Sequence, residues 1–449
     1  MRRALTSLIR WLFESLVRLY YPTRVVEGGE RIPVGGPLIF VLNHPNGLLD
    51  PVLLRVAVGR PARFLGKSTL FANPLGRLAM DAFGTIPAYR GRDAGARAGD
   101  ASRNDESFAR CRQALGRGEA LALFPEGTSH SDPQLRPLKT GAARIALSAE
   151  AEHDGKLGVT VVPVGLDYER KTHFRSRVLL VVGQAIAIGP RLPAYRQDER
   201  QTVDQLTDEI RQRLDAVVLQ AETRELLTGI AAVATWTARP AAPGENDGGD
   251  HLASQHRRAR ELLAGYQRVR ARDPARVDTI AAAARDYART LRHLGVHNPW
   301  ALELETVKPS HLLGAVARIV LALPFAIAGA LLGWLPYRLA GRLAARLTHD
   351  EDVLGTVKLM AGATFLLVAW LGEAIAVGAW RGALAGAATF GLGLGGGYAA
   401  LRFEELAIEV TEALRMLWLR AWRFDTARRL AERRRRLADD VARALREAT

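Results

Sequence analysis

Residues 37–51 read Pro-Leu-Ile-Phe-Val-Leu-Asn-His-Pro-Asn-Gly-Leu-Leu-Asp-Pro, an apolar run followed by a polar turn. A short apolar run bounded by turn-forming residues is typical of a strand that is buried on both faces of a sheet. The proline and the glycine that follow keep the chain from becoming helical at once. Asp50 followed by Pro51 is a typical helix start. The stretch therefore predicts a buried strand, a turn that carries His44 at the strand end, and a helix.

The alternation of short apolar runs with helical stretches continues to about residue 190. Further buried strands are predicted at 120–124, 159–164 and 178–182, and helices at 51–58, 104–117 and 138–152. Such alternation is typical of an α/β fold in which a largely parallel sheet is flanked by helices. We place this domain at residues 22–225 and expect the loops at its strand ends to carry the chemistry. Residues 91–100 are predicted to form a mobile loop.

Residues 1–21 are predicted to form an amphipathic helix. Charged residues and Ser7 recur every three or four positions and interrupt any apolar core, so neither a signal peptide nor a spanning helix fits. One interpretation is a helix in the membrane interface, with its aromatic residues at the headgroup boundary, namely Trp11, Phe13, Tyr20 and Tyr21. The other is a helix packed against the soluble domain.

The chain becomes strongly apolar after residue 310, and we predict a membrane region over 311–401. Residues 359–401 are predicted to form a spanning hairpin, because each half approaches the roughly 20 residues that a spanning helix needs. Residues 312–336 contain Pro324 and are predicted to be re-entrant or interfacial. Basic residues flank these segments, which predicts that both flanks lie in the cytoplasm.

Two further regions complete the predicted organisation. Residues 226–310 are predicted to hold a linker, at 238–250, and a helical segment of unassigned role. Residues 402–449 are predicted to form a basic cytoplasmic helix, which contains four consecutive arginines at 433–436. Many small residues within 382–399 would permit close packing of helices.

The net charge of +15 and the sequence pI of about 10.5 call for an anionic partner. The basic residues are spread over helices and membrane flanks without interleaved aromatic residues, so we predict anionic membrane lipid and no nucleic acid. Cys111 is the only cysteine, which excludes an internal disulfide, and nothing beside it suggests a catalytic thiol. No metal site and no cofactor are predicted.

His44 and Asp50 admit two interpretations. In the first, the turn returns the Asp50 carboxylate to the imidazole, and the pair acts as a general base on an alcohol. In the second, Asp50 is a helix cap without a catalytic role. The spacing of these two residues does not decide between them.

Three further motifs follow along the chain. Gly84-Thr-Ile-Pro-Ala-Tyr-Arg90 places a guanidinium past a strand, where it would bind phosphate or simply be solvated. Phe124-Pro-Glu-Gly-Thr-Ser-His130 ends a buried strand with a carboxylate, or is an ordinary turn. Val161-Val-Pro-Val-Gly165 carries no reacting group, so its predicted role is shape.

The set of four motifs, in this order, resembles the glycerolipid acyltransferase superfamily of lysophosphatidate and glycerol-3-phosphate acyltransferases. The resemblance covers residues 35–190 and implies a catalytic dyad of His44 and Asp50. It also implies a set of substrate-binding residues, namely Arg90, Glu126, Gly127, Lys67, Lys139 and, on weaker grounds, His130.

The motifs depart from the usual pattern at two points. Five residues separate His44 from Asp50, where four are usual. The third motif continues Thr-Ser-His, where Thr-Arg is common. Both variations resemble the branch that contains the fungal glycerol-3-phosphate/dihydroxyacetone-phosphate acyltransferases, which also carry C-terminal membrane segments.

The resemblance implies an O-acyltransferase of phospholipid synthesis. It would move an acyl chain from acyl-CoA or acyl carrier protein to glycerol 3-phosphate or its 1-acyl derivative, without a covalent intermediate. The expected location is a bacterial inner membrane, with the catalytic domain in the cytoplasm. Two alternatives stay open: another lysophospholipid as acceptor, or a non-catalytic scaffold that binds lipid.

Overall fold

A computed structural model describes residues 2–89, 100–238, 249–296, 299–302, 309–348 and 350–448. The chain divides into two compact units. The first comprises Met1–Arg224 together with Asp350–Thr356, and the second comprises Glu225–His349 together with Val357–Thr449. The predicted loop at 91–100 and the predicted linker at 238–250 lie almost wholly outside the described residues.

The first unit is an α/β domain, as predicted. Its strands are β1 (Arg24–Glu27), β2 (Leu38–Leu42), β3 (Ala62–Lys67), β4 (Ile86–Ala88), β5 (Ala120–Leu123), β6 (Thr160–Tyr168), β7 (Val178–Val182) and β8 (Ile186–Ala187). Its helices are α1 (Arg2–Tyr20), α2 (Leu49–Val58), α3 (Pro74–Ala82), α4 (Asp100–Gly116), α5 (Gly141–Glu152), α6 (Leu192–Gln197) and α7 (Glu199–Asp215).

The sheet has the order β1-β7-β6-β2-β5-β3-β4, with β8 beside β6. Strands β2 to β6 are mutually parallel, whereas β7 and β8 run antiparallel to β6. Every residue of β2, β5 and β7 is buried, which explains their uninterrupted apolar sequences. Because five parallel strands end at one edge of the sheet, the residues that follow them lie along that edge.

Helix α1 is packed against the domain, as the second interpretation predicts, and an interfacial role for its exposed residues stays a prediction. Its last turn packs into the domain, where Val17 and Tyr20 are buried and Tyr21 follows them into the core. The headgroup-boundary prediction for Tyr20 and Tyr21 is therefore wrong, because periodicity identified a face of the helix but not its neighbour. Nearer the start of the helix, Leu8 and Trp11 are exposed.

The remaining helices belong wholly or mainly to the second unit. They are α8 (Arg224–Thr237), α9 (Gly249–Arg272), α10 (Pro274–Leu294), α11 (Pro309–Leu347), α12 (Glu351–Arg381), α13 (Ala383–Trp422) and α14 (Phe424–Glu447). Within the described residues, three stretches are long and apolar enough to cross a membrane: Val316–Ala344, Glu351–Arg381 and Ala383–Ile408.

The first of these three stretches differs from the prediction for 312–336. A re-entrant segment turns back within the membrane, but α11 runs through this region as one helix of 39 residues despite Pro324. At 1.5 Å per residue it extends about 58 Å, well beyond the roughly 30 Å of a hydrocarbon core. The number of crossings stays a prediction.

Glycines bring the apolar helices into close contact. A Cβ on Gly329 of α11 would lie 1.9 Å from the Gly396 carbonyl oxygen of α13, and one on Gly386 of α13 would lie 2.6 Å from the Ala374 carbonyl oxygen of α12. Any larger side chain at these positions would force the helices apart.

Two of the four consecutive arginines in α14 have partners within the second unit. Arg434 is buried, donates to the Trp236 carbonyl oxygen at 2.9 Å and lies over the Trp300 ring at 3.5 Å. Arg433 pairs with Asp286 of α10. These two arginines hold helices together, so they are not available as free positive charge for a membrane surface.

Candidate active site

His44 and Asp50 meet at the carboxyl end of β2. The His44 Nδ1 atom lies 2.8 Å from the Asp50 Oδ2 atom, and the Asp50 side chain is completely buried. Asp50 lies inside the first turn of α2, whose N-cap position is Leu48, so the cap interpretation is wrong. The structure thus joins the two residues as the dyad interpretation predicts.

The Asp50 carboxylate also accepts from two further donors. The Asn46 backbone N–H donates to Oδ2 at 2.8 Å, and the Tyr168 hydroxyl donates to Oδ1 at 2.5 Å. Burial and the Asp50 charge raise the pKa of Tyr168 well above its ordinary value, so its hydroxyl remains a donor. With a carboxylate as partner, the neutral His44 ring carries its proton on Nδ1 and leaves the Nε2 lone pair free.

The His44 ring is held in place from one side. It stacks on Phe124 with ring centroids 3.9 Å apart and an interplanar angle of 18°. Its side chain retains 15% exposure, and within the described residues Nε2 has no hydrogen-bond partner. The arrangement presents an oriented, accessible base at the sheet edge.

Glu126 contacts the turn that carries His44, and its side chain is fully buried. Its carboxylate accepts from the His44 backbone N–H at 3.2 Å and from the Arg136 backbone N–H at 2.8 Å. His130 also pairs with this carboxylate. Glu126 therefore ties the third motif to the first, and its predicted role in acceptor binding stays a prediction.

His130 is oriented by three contacts. Its backbone N–H donates to the His44 carbonyl oxygen at 3.1 Å, and its Nδ1 accepts from the Asp132 backbone N–H at 3.1 Å. Because Nδ1 is an acceptor, the proton of the neutral ring lies on Nε2 and is donated to Glu126. His130 is thus brought to the site, where it supports the turn that carries His44.

Gly127 and Lys139 are in contact beside the same turn. Gly127 has a left-handed φ of 76°, and a Cβ there would lie 2.6 Å from the Lys139 ammonium nitrogen. The Lys139 backbone N–H donates to the Pro125 carbonyl oxygen at 2.8 Å. A side chain at position 127 would be strained and would displace Lys139.

Of the other two predicted basic residues, only Lys67 is described, and it lies further along the sheet edge. Lys67 ends β3, and its backbone is in register with Ala88 at the end of β4. Arg90 lies outside the described residues. The phosphate-binding roles of Lys67 and Arg90 stay predictions.

The fourth motif supplies shape, as its apolar sequence predicts. A Cβ on Gly165 of β6 would lie 2.2 Å from the Val217 carbonyl oxygen, so only glycine allows this approach. Cys111 is buried, and burial raises the pKa of its thiol to about 12, which makes it a poor nucleophile.

Several residues of the site were not predicted from sequence. Asn43 bonds in both directions to Leu166 of β6, with distances of 3.1 and 2.7 Å. The Asn46 side chain donates to the Tyr21 hydroxyl at 2.7 Å. Tyr168 is the continuation of the strand that holds the fourth motif. Of these residues, only Asn43 and Asn46 could have been identified from the sequence, because they lie within the first motif.

The fold and the site define an α/β domain with an oriented histidine base at the carboxyl edge of a parallel sheet. Residues 23–167 match the protein-family model described as "Acyltransferase". This part of the chain is an acyltransferase-family domain, and its relatives include glycerol-3-phosphate and 1-acyl-sn-glycerol-3-phosphate acyltransferases.

Three relatives illustrate the likeness. Glycerol-3-phosphate O-acyltransferase 2 of Saccharomyces cerevisiae is 31% identical over 50% of this chain and 29% of its own length. The chloroplastic 1-acyl-sn-glycerol-3-phosphate acyltransferase BAT2 of Brassica napus is 30% identical over 37% and 43%. The lyso-ornithine lipid O-acyltransferase of Pseudomonas aeruginosa is 30% identical over 36% and 53%.

The chain thus spans about half or less of the length of these relatives. Among solved structures, the 1-acyl-sn-glycerophosphate acyltransferase PlsC of Thermotoga maritima shares 19% identity over 46% of this chain and 79% of that chain. The TM-score of this comparison is 0.32.

Proposed function

We propose that the chain transfers an acyl group from a thioester to a hydroxyl of glycerol 3-phosphate or of 1-acylglycerol 3-phosphate. The observation that carries the proposal is the 2.8 Å contact between His44 Nδ1 and Asp50, which leaves Nε2 as a free base beside Phe124. A domain that only binds lipid has no need of such a base.

The reaction needs one base and no covalent enzyme intermediate. The acceptor hydroxyl oxygen attacks the thioester carbonyl carbon while its proton passes to His44 Nε2. Backbone N–H groups at the strand ends stabilise the oxyanion of the tetrahedral intermediate. The carbon–sulfur bond then breaks, and the imidazolium returns the proton to the departing thiolate. The products are an ester and a free thiol.

The donor is acyl-CoA or acyl carrier protein, and the acceptor carries a phosphate. We assign phosphate groups of the two substrates to the predicted cationic residues Arg90, Lys67 and Lys139, and we propose that Glu126, Gly127 and His130 form the turn beside the acceptor. The fungal and plant relatives, which are named for these two acceptors, favour this proposal.

A second candidate is acylation of another lysolipid, which the Pseudomonas relative favours. An acceptor panel separates these functions. The full-length chain in membranes would be given labelled acyl-CoA and, in turn, glycerol 3-phosphate, lysophosphatidate and a lysolipid without a phosphate monoester. We expect label in the product of glycerol 3-phosphate, of lysophosphatidate or of both. Label only in the third supports the second candidate, and no label in any product supports a non-catalytic scaffold.

We also propose that the chain is a membrane protein of a bacterial inner membrane with its catalytic domain in the cytoplasm. The three apolar helices support a membrane location, and the basic residues that flank them support the orientation. A Lys156→Cys variant tests it, since Lys156 is exposed and Cys111 is buried with a raised thiol pKa. A membrane-impermeant maleimide should label this variant only after the cells are opened. Labelling in intact cells contradicts the orientation.

A further inference from the structure

A cluster of charged side chains lies beside the dyad and was not predicted from sequence. Lys171, just beyond the end of β6, donates through Nζ to the Pro45 carbonyl oxygen at 3.3 Å and to the Ser131 hydroxyl. Arg224 donates to the Ser131 carbonyl oxygen at 2.7 Å. Pro45 and Ser131 directly follow His44 and His130, so both cations are anchored to the catalytic turns.

A carboxylate of the same unit occupies the space between these cations. Glu351 begins α12 and belongs to the segment Asp350–Thr356 of the first unit. Its Oε2 atom lies 2.8 Å from the Arg224 Nη1 atom and 3.9 Å from the Lys171 Nζ atom, and the Arg224 guanidinium and the Ser131 side chain both lower the pKa of this carboxylate. Two cations that converge on one anionic oxygen, with a hydroxyl beside them, are the donors that bind a phosphate.

The segment 350–356 rests directly on the catalytic turn. A Cβ on Gly47 would lie 2.9 Å from the Asp352 carbonyl oxygen, and one on Gly355 would lie 2.8 Å from Asn46 Oδ1. Asp352 also accepts a hydrogen bond of 2.5 Å from Ser129, at the position where the third motif commonly has arginine.

Two features should allow a ligand to displace Glu351 and its segment from the cations. The Glu351 side chain is 49% exposed, and ion pairs of that exposure contribute little to stability. Asn46 Oδ1 and Thr356 Oγ1 are buried without a hydrogen-bond partner in the described structure. Because an unpaired buried polar atom costs free energy, these two atoms weaken the packing of segment 350–356 on the turn. A phosphate monoester carries more negative charge than a carboxylate and would compete for the same cations.

We propose that Lys171, Arg224 and Ser131 form a seat for the phosphate of the acceptor, and that Glu351 occupies this seat until the acceptor displaces it. The inference rests on the proposed function, because it names the residues that recognise the phosphorylated acceptor. Burial lowers the pKa of Lys171, and the carboxylates of Glu351, Asp352 and Asp50 oppose that shift. The charge of Lys171 in the seat therefore interacts with the charge of Asp50 in the dyad.

Steady-state kinetics of the full chain test the seat. Lys171→Gln and Arg224→Gln should each raise the KM for glycerol 3-phosphate about tenfold, the loss expected for one charge-assisted hydrogen bond, and leave the KM for acyl-CoA unchanged. Lys171→Arg should restore most of the loss. Lys156→Gln is the matched control, since Lys156 precedes the opposite end of β6. An unchanged KM for the acceptor, or equal changes in both KM values, overturns the assignment of the cations.

The role of Glu351 predicts a change of opposite sign. Glu351→Gln should lower the KM for glycerol 3-phosphate several-fold, whereas Glu30→Gln, at an exposed acid beyond the end of β1, should not. A higher KM in Glu351→Gln overturns the displacement.

Thermal stabilisation by inorganic phosphate reports on the seat without any turnover. It should be greater in Glu351→Gln than in wild type and weaker in Lys171→Gln. If wild type acylates no phosphorylated acceptor, the proposed function fails, whereas phosphate stabilisation that does not change in either variant overturns the seat alone.

Discussion

Replacement of His44 by alanine or glutamine is expected to slow acyl transfer about 10³-fold, the contribution typical of a positioned general base. The imidazole is the group that the structure orients toward the exposed side of the turn, with one nitrogen committed to Asp50. The substitution removes the proton acceptor but not the anchors of the turn, because Glu126 and His130 bond to the backbone of His44. The KM values for both substrates should therefore change little.

The comparison for this variant is His153→Ala, which removes an exposed imidazole at the end of α5. Its activity should match that of wild type. Initial rates with labelled acyl-CoA measure the effect, and the unfolding midpoint in denaturant shows whether the protein is folded. Turnover that persists in folded His44→Gln would remove the base from the mechanism.

The Asp50→Asn substitution is expected to lower kcat about 10²-fold or more while the KM for acceptor stays nearly constant. The amide nitrogen of asparagine must face either Tyr168 or the pair formed by His44 and the Asn46 N–H. In the first orientation the imidazolium loses its negative partner, and in the second His44 is forced into the other tautomer. Both orientations slow the proton transfer.

A matched variant distinguishes the charge from the hydrogen-bond network. Tyr168→Phe removes one donor to Asp50 but keeps the carboxylate, so it should lower kcat less than tenfold. If Tyr168→Phe and Asp50→Asn slow the reaction equally, the effect of Asp50 is structural, and its charge does not act on His44.

The sequence predicted the catalytic edge of the domain because the signals there are local. The apolar run of 38–42 predicts a strand buried on both faces, and the structure contains that strand as β2. Parallel strands end at a common edge, so the motifs after β2 and β5 meet there, as their order along the chain implies.

The residues that were not predicted join the site through long-range contacts. Lys171, Arg224 and Glu351 are separated by many residues, and no periodicity relates them. Burial of Tyr21 likewise depends on what packs against α1, which an amphipathic pattern does not reveal. Pro324 indicated an interrupted segment, but an apolar helix with neighbours to pack against tolerates a proline.

Direct transfer of the acyl group is tested most directly by rapid-quench measurements with acyl-labelled acyl-CoA, with and without glycerol 3-phosphate. Direct attack by the acceptor hydroxyl should release thiol only when the acceptor is present, in step with labelled acylglycerol phosphate. Protein precipitated at any time should carry no label. A burst of thiol in the absence of acceptor, with label retained on the protein, would contradict the mechanism and require a covalent intermediate.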